Sequence, residues 1–123
     1  MNKNVLIIAP HPDDEVLGCG GIMKKYSDSG SDVYVLVMTR GTAKMYSDER
    51  IENVRKEARN AHKILGVKET IFLDFPAPEL DTIPTAEISR AIADVIKIVR
   101  PDILLLNEFN FTSEHKSILY FRD

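Results

Sequence analysis

The sequence contains little that would support several common classes of protein. Cys19 is the only cysteine in 123 residues, so a domain stabilised by internal disulfides is excluded. Basic residues are scattered and the net charge is −3, so nucleic acid is not an expected partner. The first apolar run, Val5 to Ala9, is too short for a signal peptide or a bilayer span, so we expect a cytoplasmic protein without membrane association.

The composition is that of a single soluble globular domain. Hydrophobic residues make up 44% and charged residues 28% of the 123 positions, which is ordinary for such a protein. A chain of this length can bury a real core but is small for an α/β enzyme. We therefore expect one domain spanning residues 1–123.

Apolar runs and helical periodicity alternate along the chain. Four apolar runs predict strands at residues 5–9, 33–38, 70–73 and 103–106, and helical spacing predicts helices at about 19–29, 48–65 and 84–99. This order predicts an α/β fold, a Rossmann-like parallel sheet of about four strands with helices on both faces. For the last stretch we expect a loop and then two helical turns from about Glu114, with no further strand.

A cluster of metal-ligand residues directly follows the first predicted strand. His11, Asp13 and Asp14 lie there in a segment stiffened by two prolines. In open α/β sheets ligands bind beyond the carboxyl ends of the strands, and zinc accepts imidazole together with carboxylate. His11 and Asp14 could hold a metal while Asp13 handles protons. Of the other two histidines, His115 follows the fourth strand and is the better third ligand, whereas His62 is expected to be a surface or boundary residue of a helix.

Several motifs together resemble one enzyme family. They are Ala9-Pro10-His11-Pro12-Asp13-Asp14-Glu15, Leu17-Gly18-Cys19-Gly20-Gly21, Arg55-Lys56-Glu57-Ala58 and Leu65-Gly66. The combination resembles the PIG-L/LmbE-like family of metal-dependent, typically zinc-dependent, N-deacetylases of N-acetylglucosamine-type sugars. The resemblance runs from Val5 to about Ile118, and its first motif is specific.

The resemblance implies a role for individual residues. His11, Asp14 and His115 would hold Zn²⁺, or another divalent metal such as Fe²⁺, and Asp13 would be the general base. Arg55 falls where a family arginine contacts substrate. Thr112 stands where the family has a histidine that stabilises the oxyanion, and losing one such donor typically costs about 10²–10³ in rate.

The chain also departs from the family in its length. Family domains are usually nearly twice as long, so we expect the C-terminal part of the family domain to be missing. Without that part, apolar surface beside the fourth strand would be exposed. We therefore expect the chain to form a homo-oligomer. One alternative is a truncated, non-catalytic, metal-binding remnant that oligomerises. A less favoured one is a nucleotide-binding Rossmann-like module, in which Gly18 and Gly20 would cradle phosphate before a helix.

Overall fold

The fold is a five-stranded sheet with helices on both faces. It was obtained as a computed structural model that describes residues 3–10, 14–41, 46–77, 82–109 and 115–121. In chain order the elements are β1 (Asn4–Ala9), α1 (Asp14–Asp28), β2 (Asp32–Gly41), α2 (Asp48–Ile64), β3 (Glu69–Ala77), α3 (Thr85–Val99), β4 (Ile103–Phe109) and β5 (His115–Phe121). None of the helices in these ranges is long and apolar enough to cross a membrane.

The sheet has the strand order β3-β2-β1-β4-β5, with β1 at its centre. Strands β1 to β4 are parallel, and β5 is antiparallel to β4. From β1 the chain passes through α1 to β2 and through α2 to β3, at one edge of the sheet. Helix α3 then connects β3 to β4, on the other side of β1. Because such crossovers are right-handed, the two directions of travel place helices on opposite faces. The predicted Rossmann-like parallel sheet is confirmed.

Two layers of apolar side chains fill the space between the sheet and its helices. Val5 and Ile7 of β1 point to one face, where they pack with Met23 of α1. Leu6 and Ile8 alternate with them and pack with Val95 and Val99 of α3. All four β1 side chains are 3% exposed or less, as expected for a central strand covered on both faces.

Hydrogen bonds fix the start of β1 against the junction between α3 and β4. The Asn4 backbone N–H donates to Oδ2 of Asp102 at 3.0 Å, and its side-chain amide donates to the Val99 carbonyl at 2.9 Å. The Asp102 N–H in turn donates to the Asn4 carbonyl at 2.8 Å. This junction turns sharply, because Arg100 ends α3 in the left-handed conformation at φ 52°. The contacts set the register in which β1 pairs with β4.

The prediction of a terminal helix from about Glu114 without a further strand was wrong. Residues 115–121 form β5, which pairs in antiparallel register with β4 so that Ile118 lies opposite Leu106 and Phe121 opposite Ile103. The segment ends in β-branched and aromatic residues that favour strands. Pairing with the open edge of β4 therefore prevails over the local helix-capping pattern on which the prediction depended.

Helix α1 begins earlier than its pattern predicted. The expectation was a start near Cys19, but the helix begins at Asp14 and contains Gly18, Gly20 and Gly21. Glycines lower helix propensity and hid this first part of the helix from the pattern. The acidic motif therefore leads directly into a helix.

Candidate active site

The strand order places a ligand-binding crevice at the carboxyl ends of β1 and β4. These strands are neighbours, and the helix after β1 (α1) and the helix before β4 (α3) pack on opposite faces of the sheet, so the direction of the crossovers reverses here. Such a reversal is the usual position of a binding site in open α/β sheets. Pro10 follows β1 directly and Asp14 is the first residue of α1. The backbones of Pro10 and Asp14, on either side of the predicted ligands, thus lie at this edge of the sheet, and His11 and Asp13 lie outside the described residues.

The backbone of His115 lies at the same edge of the sheet. His115 begins β5 and pairs with Phe109 at the end of β4. Since β4 runs parallel to β1, β5 starts at the edge where β1 ends, two strands away. Two strand spacings correspond to about 10 Å. The structure therefore brings Asp14 and His115 to one edge at the level of the backbone, while Thr112 lies outside the described residues.

The predicted donor set suits a divalent transition metal by its chemistry. Imidazole and carboxylate ligands, three from the protein, are typical of catalytic zinc, and imidazole also suits iron. Among the residues whose side chains are described, no group of three His, Cys, Asp or Glu residues could hold a metal ion. The assignment of His11, Asp14 and His115 as ligands stays a prediction.

Arg55 is a buried cation that joins α2 to the middle of β3. Only 8% of the residue is exposed. Its Nη2 donates to the carbonyl oxygen of Leu73 at 2.8 Å and lies 3.1 Å from Oδ1 of Asp74. Its buried Nε has no hydrogen-bond partner among the described residues. Arg55 is thus fixed beside the middle of β3, at about the level where β1 ends.

A bulge in β3 creates the contact that Arg55 makes. Val37 of β2 lies opposite Phe72 and Thr39 lies opposite Phe75, so β3 has one residue more than β2 in this interval. Bulges of this kind redirect backbone and side-chain groups and are frequent beside active sites. Here the extra length coincides with Leu73, whose carbonyl Arg55 binds.

The ring of Phe72 lies between two arginines of α2. The guanidinium carbons of Arg55 and Arg59 are 4.9 and 4.7 Å from its centroid. Contacts of a cation with the face of an aromatic ring are attractive and gain strength when they are desolvated. Phe72 therefore helps to hold Arg55 in a fixed position, which a substrate-contacting role requires.

Thr39 is a residue near the site that sequence reasoning missed. It is completely buried near the end of β2, and its Oγ1 donates to the carbonyl oxygen of Pro10 at 2.7 Å. Pro10 is the residue before His11. The available signal was a lone hydroxyl residue at the end of an otherwise apolar strand, Val33 to Met38.

His62 does not belong to this edge of the sheet. The expectation of a surface or boundary residue was wrong, since only 1% of it is exposed. Its Nδ1 lies 2.8 Å from Oγ1 of Thr70, near the amino end of β3. The contact ties α2 to β3 at the end of the strand away from the crevice.

The position of the glycines removes the main support for a nucleotide-binding module. Gly18 and Gly20 lie inside α1 rather than in a loop before it. Backbone N–H groups within a helix are engaged by carbonyls of the preceding turn. They are not available to cradle a phosphate in the way that the loop of a dinucleotide-binding fold does.

Comparison with known proteins decides the family. The family described as PIG-L, GlcNAc-PI de-N-acetylase, matches residues 6–118. The chain belongs to the PIG-L family. This confirms the resemblance drawn from the sequence motifs.

Two named relatives in the PIG-L family are deacetylases. Diacetylchitobiose deacetylase of Thermococcus kodakarensis is 41% identical over 110 residues, covering 85% of this chain and 40% of the relative. A 1D-myo-inositol 2-acetamido-2-deoxy-α-D-glucopyranoside deacetylase of Kineococcus radiotolerans is 27% identical over 140 residues, covering 86% and 39%. Both are deacetylases of N-acetylglucosamine-type substrates.

A solved PIG-L structure has the same fold. The N,N'-diacetylchitobiose deacetylase of Pyrococcus horikoshii, in complex with its inhibitor MPG, superposes with a TM-score of 0.72 at 36% identity. The match covers 81% of this chain and 39% of that protein. The chain therefore spans about two fifths of the length of these relatives.

Proposed function

We propose that this chain is a metal-dependent hydrolase that removes the acetyl group from an N-acetylglucosamine-type sugar or a related amide. The observation that carries the proposal is the position of the ligand motif. Pro10 and Asp14 bracket it at the carboxyl end of β1, beside β4, where open α/β sheets bind ligands. Membership of a family whose named relatives are deacetylases supports the reaction class.

The metal would be held by His11, Asp14 and His115, with Zn²⁺ or Fe²⁺ as the candidates. Bound there, it would supply Lewis-acid activation of the amide carbonyl and of water. The donor set fits this chemistry, and the start of α1 and the start of β5 bring two of the three backbones to one edge of the sheet.

Asp13 would move the protons of the reaction. Its carboxylate takes a proton from the attacking water, whose oxygen forms a bond to the acetamide carbon. The carbon–nitrogen bond then breaks, and Asp13 returns the proton to the departing amine. The products are acetate and the free amino sugar, so one carboxylate acts first as a base and then as an acid.

Arg55 and Thr112 would contact the substrate. The Arg55 contacts with Leu73 and Phe72 hold a cation beside the middle of β3, two strands from β1 and at about the level where β1 ends. A fixed guanidinium is suited to hydroxyl or carbonyl oxygens of a sugar. The Thr112 hydroxyl would donate one hydrogen bond to the carbonyl oxygen as negative charge develops on it.

We also propose that the chain forms a homo-oligomer. On the face covered by α3, the flanking side chains Leu104 and Leu106 of β4 are only partly buried. Ile98 of α3 is 77% exposed. Apolar surface beside β4 favours contact with a second copy. Sedimentation analysis that gives the mass of a monomer at micromolar concentration would contradict this part of the proposal.

The test of function measures metal content and acetate release separately. Purified protein is loaded with Zn²⁺ or Fe²⁺, and acetate is measured after addition of N,N'-diacetylchitobiose. We expect about one metal per chain, with release abolished by a chelator and restored by metal. The matched control is Asp28→Asn, on the exposed end of α1, which should retain both properties. Metal-loaded protein that releases no acetate from this or simpler N-acetylglucosamine derivatives would leave a metal-binding module in place of an enzyme.

A further inference from the structure

Thr39 connects β2 to the residue that precedes the ligand motif. Its hydroxyl donates to the Pro10 carbonyl at 2.7 Å across 29 positions of sequence. The distance is typical of a strong O–H···O hydrogen bond, and it joins a buried hydroxyl to a half-buried residue. Pro10 has no N–H, so its carbonyl is the backbone hydrogen-bonding group that this residue offers. The Thr39 hydroxyl therefore binds the peptide group that joins Pro10 to His11.

The backbone of Thr39 is itself fixed by its pairing with β3. It is 0% exposed, and its backbone pairs with Phe75 directly after the β3 bulge. The same bulge contains Leu73, which binds Arg55. Thr39 thus stands between the two parts of the candidate site, the turn after β1 and the arginine beside β3.

We propose that the Thr39 hydroxyl is a positioning group for the turn that carries His11, Asp13 and Asp14, and that it controls how tightly this turn binds a divalent metal. The inference rests on the proposed function for the metal. A hydrogen bond to a rigid peptide acceptor fixes where the turn leaves β1. Groups that orient metal ligands without touching the metal typically change affinity by about 10- to 100-fold when removed.

The competing explanation is that Thr39 only stabilises the sheet. A buried hydroxyl that forms a hydrogen bond contributes to stability wherever it lies, and its removal leaves the Pro10 carbonyl without that donor. A purely structural role predicts a loss of stability with no local effect at the turn. The positioning role predicts that the effect is concentrated at the turn and at the metal.

The test uses Thr39→Val, which keeps the shape and removes the hydroxyl, and Thr39→Ser, which restores it. Thr70→Val is the matched control, because the Thr70 hydroxyl also bonds a buried group, His62, but near the amino end of β3. Two quantities are measured on the full chain: Zn²⁺ affinity by competition with a chelator, and amide hydrogen exchange of the metal-free protein over residues 9–16. Thr39→Val should weaken zinc binding about tenfold and accelerate exchange there about fivefold.

Thr39→Ser should retain wild-type values for both quantities, and Thr70→Val should change neither. Unchanged exchange over residues 9–16 in Thr39→Val would overturn the positioning role, as would unchanged zinc affinity or equal effects in Thr70→Val. Wild-type protein that binds no zinc would overturn the proposed function instead, and the exchange comparison would then decide the role of Thr39. If Thr39→Val fails to fold, Thr39→Ala and Thr39→Ser are compared in the same way.

Discussion

The Arg55 guanidinium donates a 2.8 Å hydrogen bond to the carbonyl oxygen of Leu73 within the β3 bulge. Lysine at this position would keep the charge but lose the planar group that reaches Leu73 and Asp74 together. We expect Arg55→Lys to lower the free energy of unfolding by about 2 kcal/mol. Urea unfolding measures this loss. Arg59→Lys is the control, since Arg59 is exposed and shares only the contact with Phe72.

Substitutions in the ligand motif should separate metal binding from turnover. His11→Ala and Asp14→Asn should lose the bound metal, because each removes one of three predicted protein ligands. Asp13→Asn should retain the metal and lose acetate release by about 10²–10⁴-fold, the usual contribution of a positioned acid or base. Metal analysis and acetate release on the same samples measure both effects. Asp13→Asn protein without metal would instead identify Asp13 as a ligand.

The backbone of Arg100 is in the left-handed conformation, so a substitution at this position can stabilise the fold. Arg100 ends α3 at φ 52° and ψ 59°, a conformation that costs residues with a side chain roughly 1 kcal/mol and costs glycine nothing. Arg100→Gly should therefore raise the free energy of unfolding by up to about 1 kcal/mol. Arg90→Gly, an identical change at an exposed position inside α3, should lower it by a similar amount. Chemical denaturation of both variants tests whether the two changes have opposite sign.

The ion pair between Lys68 and Asp32 predicts a weak pH dependence at the alkaline end. Its hydrogen bond to the Asp32 carboxylate, and the attraction of that charge, raise the pKa of Lys68 above the ordinary value of 10.5. Because the folded-state pKa is the higher one, the stabilisation is complete below pH 10.5 and is lost as pH rises through the folded-state value. The two side chains are solvent-exposed, so the effect is small.

Melting temperatures test this pair with Lys68→Gln. The variant should melt slightly below the wild type at pH 8 in low salt, and the difference should disappear well above pH 10.5 or in 1 M salt, where the Debye length is about 3 Å. Lys97→Gln, at an exposed lysine in the last turn of α3, controls for the general effect of removing a charge. A difference that grows at high pH would show that the sign is wrong.

The sequence was most informative where hydrophobic periodicity was strong. The continuous run at Val5 to Ala9 and the helical spacing of apolar residues between Ile51 and Leu65 predicted a buried strand and a packed helix, and both are present. The family and the Rossmann-like fold followed from motif and element order. The match of the family to residues 6–118 confirms the family, and the structure confirms the fold.

Long-range pairing explains what periodicity did not predict. Strand β5 forms because the edge of β4 is open for pairing, and no local sequence pattern predicts that this edge is open. The β3 bulge depends on how β2 and β3 align, so the Arg55 partner Leu73 could not be named from spacing alone. The contact of Thr39 with Pro10 joins residues far apart in sequence for the same reason.

The central position of β1 has a consequence for synthesis of the chain. Asn4 to Ala9 is synthesised before β4, one of its two neighbours, which is made roughly a hundred residues later. At about 5–20 residues per second, several seconds pass in which one edge of this apolar strand has no native partner. Nascent chains that end before Ile103 should therefore associate with chaperones, and extension through β4 should release them.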